Sequence, residues 1–137
     1  MKENHVIVVG AGAMGSEHVR AYKQLPGVRV ISVVDPIIEK AERLAKQYDI
    51  AEYYDDIDKA LHPEVQGVSI CTPDSLHVEP VVKAARAGKH ILLEKPIATR
   101  LTDAQTILSA VQAAGVKLLM GYTLRFEGSY VAGHQLV

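Results

Sequence analysis

The sequence predicts an α/β fold: a doubly wound parallel sheet of six strands with helices on both faces. Three observations predict it. Short runs of Val, Ile and Leu alternate with helical segments to the end of the chain. Those runs are nearly continuous in apolar residues, as parallel strands covered on both faces must be. The first run, His5-Val-Ile-Val-Val9, opens directly onto Gly10-Ala-Gly12-Ala-Met-Gly15, a glycine turn leading into a helix.

The elements follow in order. Strands are expected over 5–9, 28–34, 52–54, 67–71, 90–93 and 117–120, and helices over 14–25, 36–47, 56–61, 77–87 and 102–114. Pro26-Gly27 marks the turn into the second strand. Pro36 suits the first turn of the second helix. Thr102-Asp-Ala-Gln105 reads as a capping box. Gly88 and Gly115 stand where helix C-termini need a left-handed residue. Right-handed crossovers then give the strand order 3-2-1-4-5-6.

The 137 residues are 48% hydrophobic and 23% charged, enough to bury one core. The net charge is −1, which points to neither nucleic acid nor an anionic membrane. The apolar runs are far short of a bilayer span of ~20 residues. Met1-Lys-Glu-Asn-His5 runs straight into a strand, so no signal peptide is expected. The single Cys71 excludes an internal disulfide. Together these point to a cytoplasmic protein.

The glycine turn carries the first functional signal. Gly10 permits the tight turn, Gly12 lets the backbone approach a pyrophosphate, and Gly15 lets the helix pack close to the strand. The pyrophosphate would sit on the helix N–H groups around Ala13, Met14 and Gly15. Asp35 ends the second strand, twenty residues beyond Gly15, where an acid can accept hydrogen bonds from ribose hydroxyls. Three glycines can also simply make a strand–helix turn. The strand before, the helix after and the acid at this spacing favour dinucleotide binding.

Three later loops fall at the carboxyl ends of strands, where doubly wound sheets bind ligands. Cys71-Thr-Pro-Asp-Ser-Leu-His77 follows the fourth strand. Thr72 offers a hydroxyl and Pro73 stiffens the turn, although the segment also reads as an ordinary helix entry. Glu94-Lys95-Pro96 follows the fifth strand. Charges bordering a buried strand must be paired or solvated in a cleft. Lys95 suits a substrate hydroxyl or a proton shuttle; the plainer reading is a solvated charge pair. Arg125, after the sixth strand, suits an anion or carboxylate, or a structural ion pair. His5, His18, His62, His90 and His134 show no metal spacing and read as surface or core residues. No metal is expected. Cys71 lacks the partners of a nucleophile.

These segments together resemble the Gfo/Idh/MocA oxidoreductases (glucose-fructose oxidoreductase, inositol dehydrogenase and relatives). The matching residues are Val8-Val-Gly-Ala-Gly-Ala-Met-Gly15, Thr72-Pro-Asp-Ser-Leu-His77, Ala87-Gly-Lys-His-Ile-Leu-Leu-Glu-Lys-Pro-Ile97 and Gly121-Tyr-Thr-Leu-Arg-Phe126. The resemblance implies an NAD(P)-binding Rossmann domain over residues 1–125 and a dehydrogenase or reductase acting on a sugar, cyclitol or similar alcohol/carbonyl pair. It implies that Lys95 faces the substrate beside the nicotinamide. It also implies that Thr72, Pro73 and His77 line the cofactor, with Cys71 and Glu94 beside them. NAD is expected in preference to NADP because Asp35 repels a 2′-phosphate. Lys40 and Arg43, further along the helix, keep NADP open. Family members carry a second domain with an Asp-x-x-x-His pair, which is not found here. Residues 126–137 then read as the start of the crossing to it, and the chain as an inactive cofactor-binding piece of a larger enzyme. The alternative is a stand-alone NAD(H) sensor; a methyltransferase fits less well. A small polyol-like substrate and a homo-oligomer are the expected partners. Phe126, Tyr130, Val131, Leu136 and Val137 would form an apolar patch that self-associates or frays.

Overall fold

The computed structural model describes residues 3–136. Its strands are β1 (Asn4–Val9), β2 (Val28–Val34), β3 (Glu52–Tyr54), β4 (Val65–Ile70), β5 (His90–Leu93) and β6 (Leu118–Met120). Its helices are α1 (Ala13–Tyr22), α2 (Ile38–Gln47), α3 (Val78–Arg86), α4 (Leu101–Ala114) and α5 (Gly128–Gln135). The six strands form one sheet in the order β3-β2-β1-β4-β5-β6, as expected. Every pairing is parallel.

The two-residue period of the strands divides the core. Ile7 and Val9 of β1 face one layer, where α3 and α4 pack through Val81, Ala84, Ala85 and Ile107. Val8, between them, faces the other, with Val19 of α1 and Ala41 and Leu44 of α2. Leu93 and Ile107 are fully buried; side chains of this size contribute roughly 1.5–3 kcal/mol each. Gly115 ends α4 in the left-handed conformation, with φ of 66°.

Several local expectations are corrected. The helix expected over 56–61 is a single 3-10 turn, Ile57–Lys59. Asp56 caps it by accepting the Asp58 N–H (2.9 Å), and Pro63 disfavours a helical His62. Lys83 of α3 pins this turn through Asp58 (2.9 Å) and Asp56 (3.3 Å), while also pairing with Glu79 (2.9 Å). The capping box at Thr102 does not form, because α4 already begins at Leu101 and no side chain caps it. Arg100 pairs with Asp103 instead (2.9 Å). Pro36 lies before α2, whose N-cap is Ile37. The fourth strand runs over Val65–Ile70, so Cys71 begins the loop beyond it.

α5 buries no residue and packs against the 3-10 turn Thr123–Phe126. Phe126, Tyr130, Val131 and Leu136 are exposed. Val137, the last residue of the expected patch, lies outside the described residues. No described helix is long and apolar enough to cross a membrane.

Candidate functional site

The glycine turn packs against β4. A Cβ on Gly10, whose φ is 98°, would lie 2.6 Å from the Cys71 carbonyl oxygen. A Cβ on Gly15 would lie 1.8 Å from the Gly10 oxygen. Only hydrogen fits at either position. Gly12 differs, with nothing within 4 Å of the place its Cβ would take. It is the N-cap of α1, with no side chain capping the helix and no acid in its first turn. The first N–H groups of α1 and its positive dipole end therefore meet open space. A cavity of about 250 Å³ adjoins Ala11, Gly12, Ala13 and Ser16, with Lys40 and Arg43 on its α2 side.

Asp35 is largely buried at the end of β2. Its Oδ2 accepts the Ala11 N–H (2.9 Å) and its Oδ1 the Ile37 N–H (2.9 Å). The acid therefore ties the glycine turn to the entry of α2. Each oxygen keeps a second lone pair for a ribose hydroxyl.

A cleft of about 520 Å³ opens at the sheet's carboxyl edge, with Val9, Val34, Pro36, Thr72, Leu76 and Ile57 among its walls. The Thr72 hydroxyl donates to the Leu76 carbonyl (3.3 Å), and Pro73 is exposed. His77 has no exposed surface. Its Nδ1 lies 2.9 Å from the Pro96 carbonyl and its Nε2 3.1 Å from the Thr72 carbonyl. The His77 side chain therefore does not line the cleft. It clamps together the two loops that do.

Glu94 and Lys95 do not form the solvated pair that their sequence permits. Glu94 is buried, and its Oε1 lies 2.8 Å from Nε2 of His18 on α1. Its Oε2 accepts the Lys95 backbone N–H (3.2 Å). The carboxylate also packs against Gly121, where a Cβ would come within 2.9 Å of Oε1. Lys95 is exposed, and its ammonium has no ion-pair or hydrogen-bond partner among the described residues. The Lys95–Pro96 peptide is cis. Lys95, Pro96 and Gly121–Arg125 line a second cleft of about 640 Å³. Arg125 lies over the Tyr122 ring at 5.6 Å, without an acidic partner among the described residues.

Cys71 is half-buried. Burial, then the nearby Glu94 charge, push its thiol up to about 12. It is therefore a poor nucleophile at neutral pH. The described residues contain no group of three His, Cys, Asp or Glu that could hold a metal.

Read from sequence, His18 is only a surface or core residue, and neither Ser69 nor Tyr22 is singled out. His18 Nδ1 lies 2.6 Å from the Ser69 hydroxyl, and the Tyr22 hydroxyl lies 3.5 Å from the same oxygen. A signal existed: Gly15, His18, Val19 and Tyr22 recur at helical spacing on the sheet-facing stripe of α1.

An open backbone at Gly12, an uncapped helix N-terminus and an acid at the end of β2 fit a dinucleotide. The model of an oxidoreductase family with an NAD-binding Rossmann fold matches residues 4–122. The chain belongs to this family. It is 31% identical over 133 residues to 4-carboxy-2-hydroxymuconate-6-semialdehyde dehydrogenase of Sphingobium sp., covering 96% of this chain and 42% of that protein. It is 32% identical to scyllo-inositol 2-dehydrogenase (NAD(+)) of Bacillus subtilis, covering 90% of this chain and 36% of the relative. Among solved structures, GenD2 from gentamicin A biosynthesis in complex with NAD superposes with a TM-score of 0.93 at 28% identity. That match covers 99% of this chain and 39% of GenD2. The chain thus spans about two fifths of the length of these relatives.

Proposed function

We propose that the protein serves an NAD-dependent oxidoreductase that moves hydride between the nicotinamide and a sugar, cyclitol or similar alcohol/carbonyl substrate. The observation that carries this reading is Lys95: its ammonium has no partner among the described residues at the mouth of a cleft, while the adjacent Glu94 is turned inward. The relative named as a scyllo-inositol 2-dehydrogenase supports a polyol substrate.

Gly12 and the first N–H groups of α1 would hold the pyrophosphate, and Asp35 the ribose. Val9, Val34 and Leu76 offer apolar walls to a flat base. Bound NAD supplies the hydride acceptor or donor. Lys95 Nζ donates a hydrogen bond to the substrate oxygen in both its alcohol and carbonyl forms, and hands that oxygen a proton on reduction. Arg125 holds a second polar substituent.

The test uses the longest natural protein that carries this chain. Incubation with NAD and a panel of inositols and aldoses should reduce the nicotinamide, and Lys95→Ala should slow this by about 10² to 10⁴-fold with NAD affinity retained. Cofactor binding without hydride transfer to NAD from any member of the panel overturns the reading and favours a nucleotide sensor. Native turnover by Lys95→Ala removes the lysine from the reaction.

A further inference from the structure

We infer that His18 is a positioning residue for Lys95: it holds the Glu94 carboxylate inward and so keeps the neighbouring ammonium free. The inference deepens the reading of Lys95 as the substrate-facing lysine and rests on it.

Four polar side chains line up behind the cleft, and one arrangement of protons satisfies them in a single direction. The Tyr22 hydroxyl donates to Ser69 Oγ (3.5 Å), Ser69 to His18 Nδ1 (2.6 Å), and His18 Nε2–H to Glu94 Oε1 (2.8 Å). Glu94 Oε2 accepts the Lys95 N–H (3.2 Å). The network joins α1, β4 and the loop after β5. The Tyr22 and His18 rings meet edge to face at 6.5 Å, and Cys71 is the other titratable group beside the carboxylate. Glu94 is only 6% exposed. A carboxylate this buried requires a partner, and among the described residues His18 is the one side chain that hydrogen-bonds it, beside the Lys95 backbone N–H. Without that ring, the adjacent cation in the chain is Lys95 itself. The carboxylate would then turn to the Lys95 ammonium and withdraw it from the second cleft. His18 therefore keeps two neighbouring opposite charges apart.

The test reads Lys95 directly in this chain, by its rate of acetylation with acetic anhydride. NADH affinity serves as the check on folding. His18→Leu should slow acetylation of Lys95 by about tenfold, the scale of one charge-assisted hydrogen bond, with NADH affinity retained. His18→Gln, whose amide N–H can reach Glu94, should restore the native rate. The double variant His18→Leu/Glu94→Gln should restore it as well, because no carboxylate is left to capture the ammonium. A general loss of packing would be rescued by neither. A native rate in His18→Leu, or a loss that persists in the double variant, overturns the inference. Should His18→Leu not fold, Ser69→Ala, which removes only the hydroxyl on the ring, should slow acetylation in the same direction. A native rate there overturns it equally. If Lys95 proves dispensable for turnover while this acetylation pattern holds, the reading of Lys95 fails and the positioning stands.

Discussion

A methyl group on Gly15 would lie 1.8 Å from the carbonyl oxygen of Gly10. The carbonyl is backbone, fixed by the same turn that carries the Gly10 N–H to the Val34 oxygen (2.7 Å). Gly15→Ala must therefore push α1 away from β1. A loss of about 1–3 kcal/mol in stability is expected, with NADH affinity falling at least about tenfold. Thermal melting and NADH fluorescence titration measure the two effects.

Gly12→Ala should separate what Gly15→Ala confounds. Nothing lies within 4 Å of its Cβ position, and its φ of −84° suits any residue. Stability should stay within about 0.5 kcal/mol of native, while NADH binding weakens because the added methyl occupies the approach to the helix N-terminus. Native NADH affinity in this variant would remove the pyrophosphate from Gly12.

Asp35→Ala deletes the acceptor for both the Ala11 and Ile37 N–H groups. NADH affinity should fall by about tenfold or more, since a charge-assisted contact to the ribose and the shape of the glycine turn are lost together. Wild-type protein should bind NADH more tightly than NADPH, because the carboxylate repels a 2′-phosphate. Parallel titrations with both cofactors test the pair of expectations.

Cys71 should resist alkylation. Burial raises its thiol to about 12, whereas an ordinary thiol titrates near ~8.5. A raised value means less thiolate at mildly alkaline pH. Iodoacetamide should therefore react on the order of a thousandfold more slowly than with a free thiol. Reactivity should rise only as pH approaches the raised value. Rapid labelling, read by intact mass, would contradict this environment.

The exposed Phe126, Tyr130, Val131 and Leu136 should make the chain self-associate at high concentration. Sedimentation should show association that Phe126→Ser together with Tyr130→Ser weakens. A concentration-independent monomer would refute it.

The sheet order was legible because βα alternation and right-handed crossovers leave few topologies. The glycine turn was legible because its spacing expresses a backbone requirement; the place of Asp35 at the end of β2 was legible too, but its bonds to the Ala11 and Ile37 N–H groups were not. The segment 56–61 holds only one 3-10 turn, Ile57–Lys59, because the Asp56 cap and the ion pairs to Lys83 of α3 fix it in that form. Glu94 was misread for a different reason. Successive residues of an extended chain face opposite sides, so Glu94 follows Leu92 toward the face that α1 flanks, while Lys95 turns away. Neighbours in sequence became strangers in space. The partners of His18, read from sequence only as a surface or core residue, were not legible because Ser69 and Glu94 are 51 and 76 residues away, a separation no local pattern records.

The double engagement of Asp35 bears on cofactor engineering. Replacing the acid after the second strand looks like the direct route to an NADPH-using variant. Here that acid is also a bolt between Ala11 and Ile37. Asparagine would keep only one of its two acceptors. Redesign is better begun from the opposite wall, where Lys40 and Arg43 already stand beside Gly12. Strengthening that cationic side leaves the bolt in place.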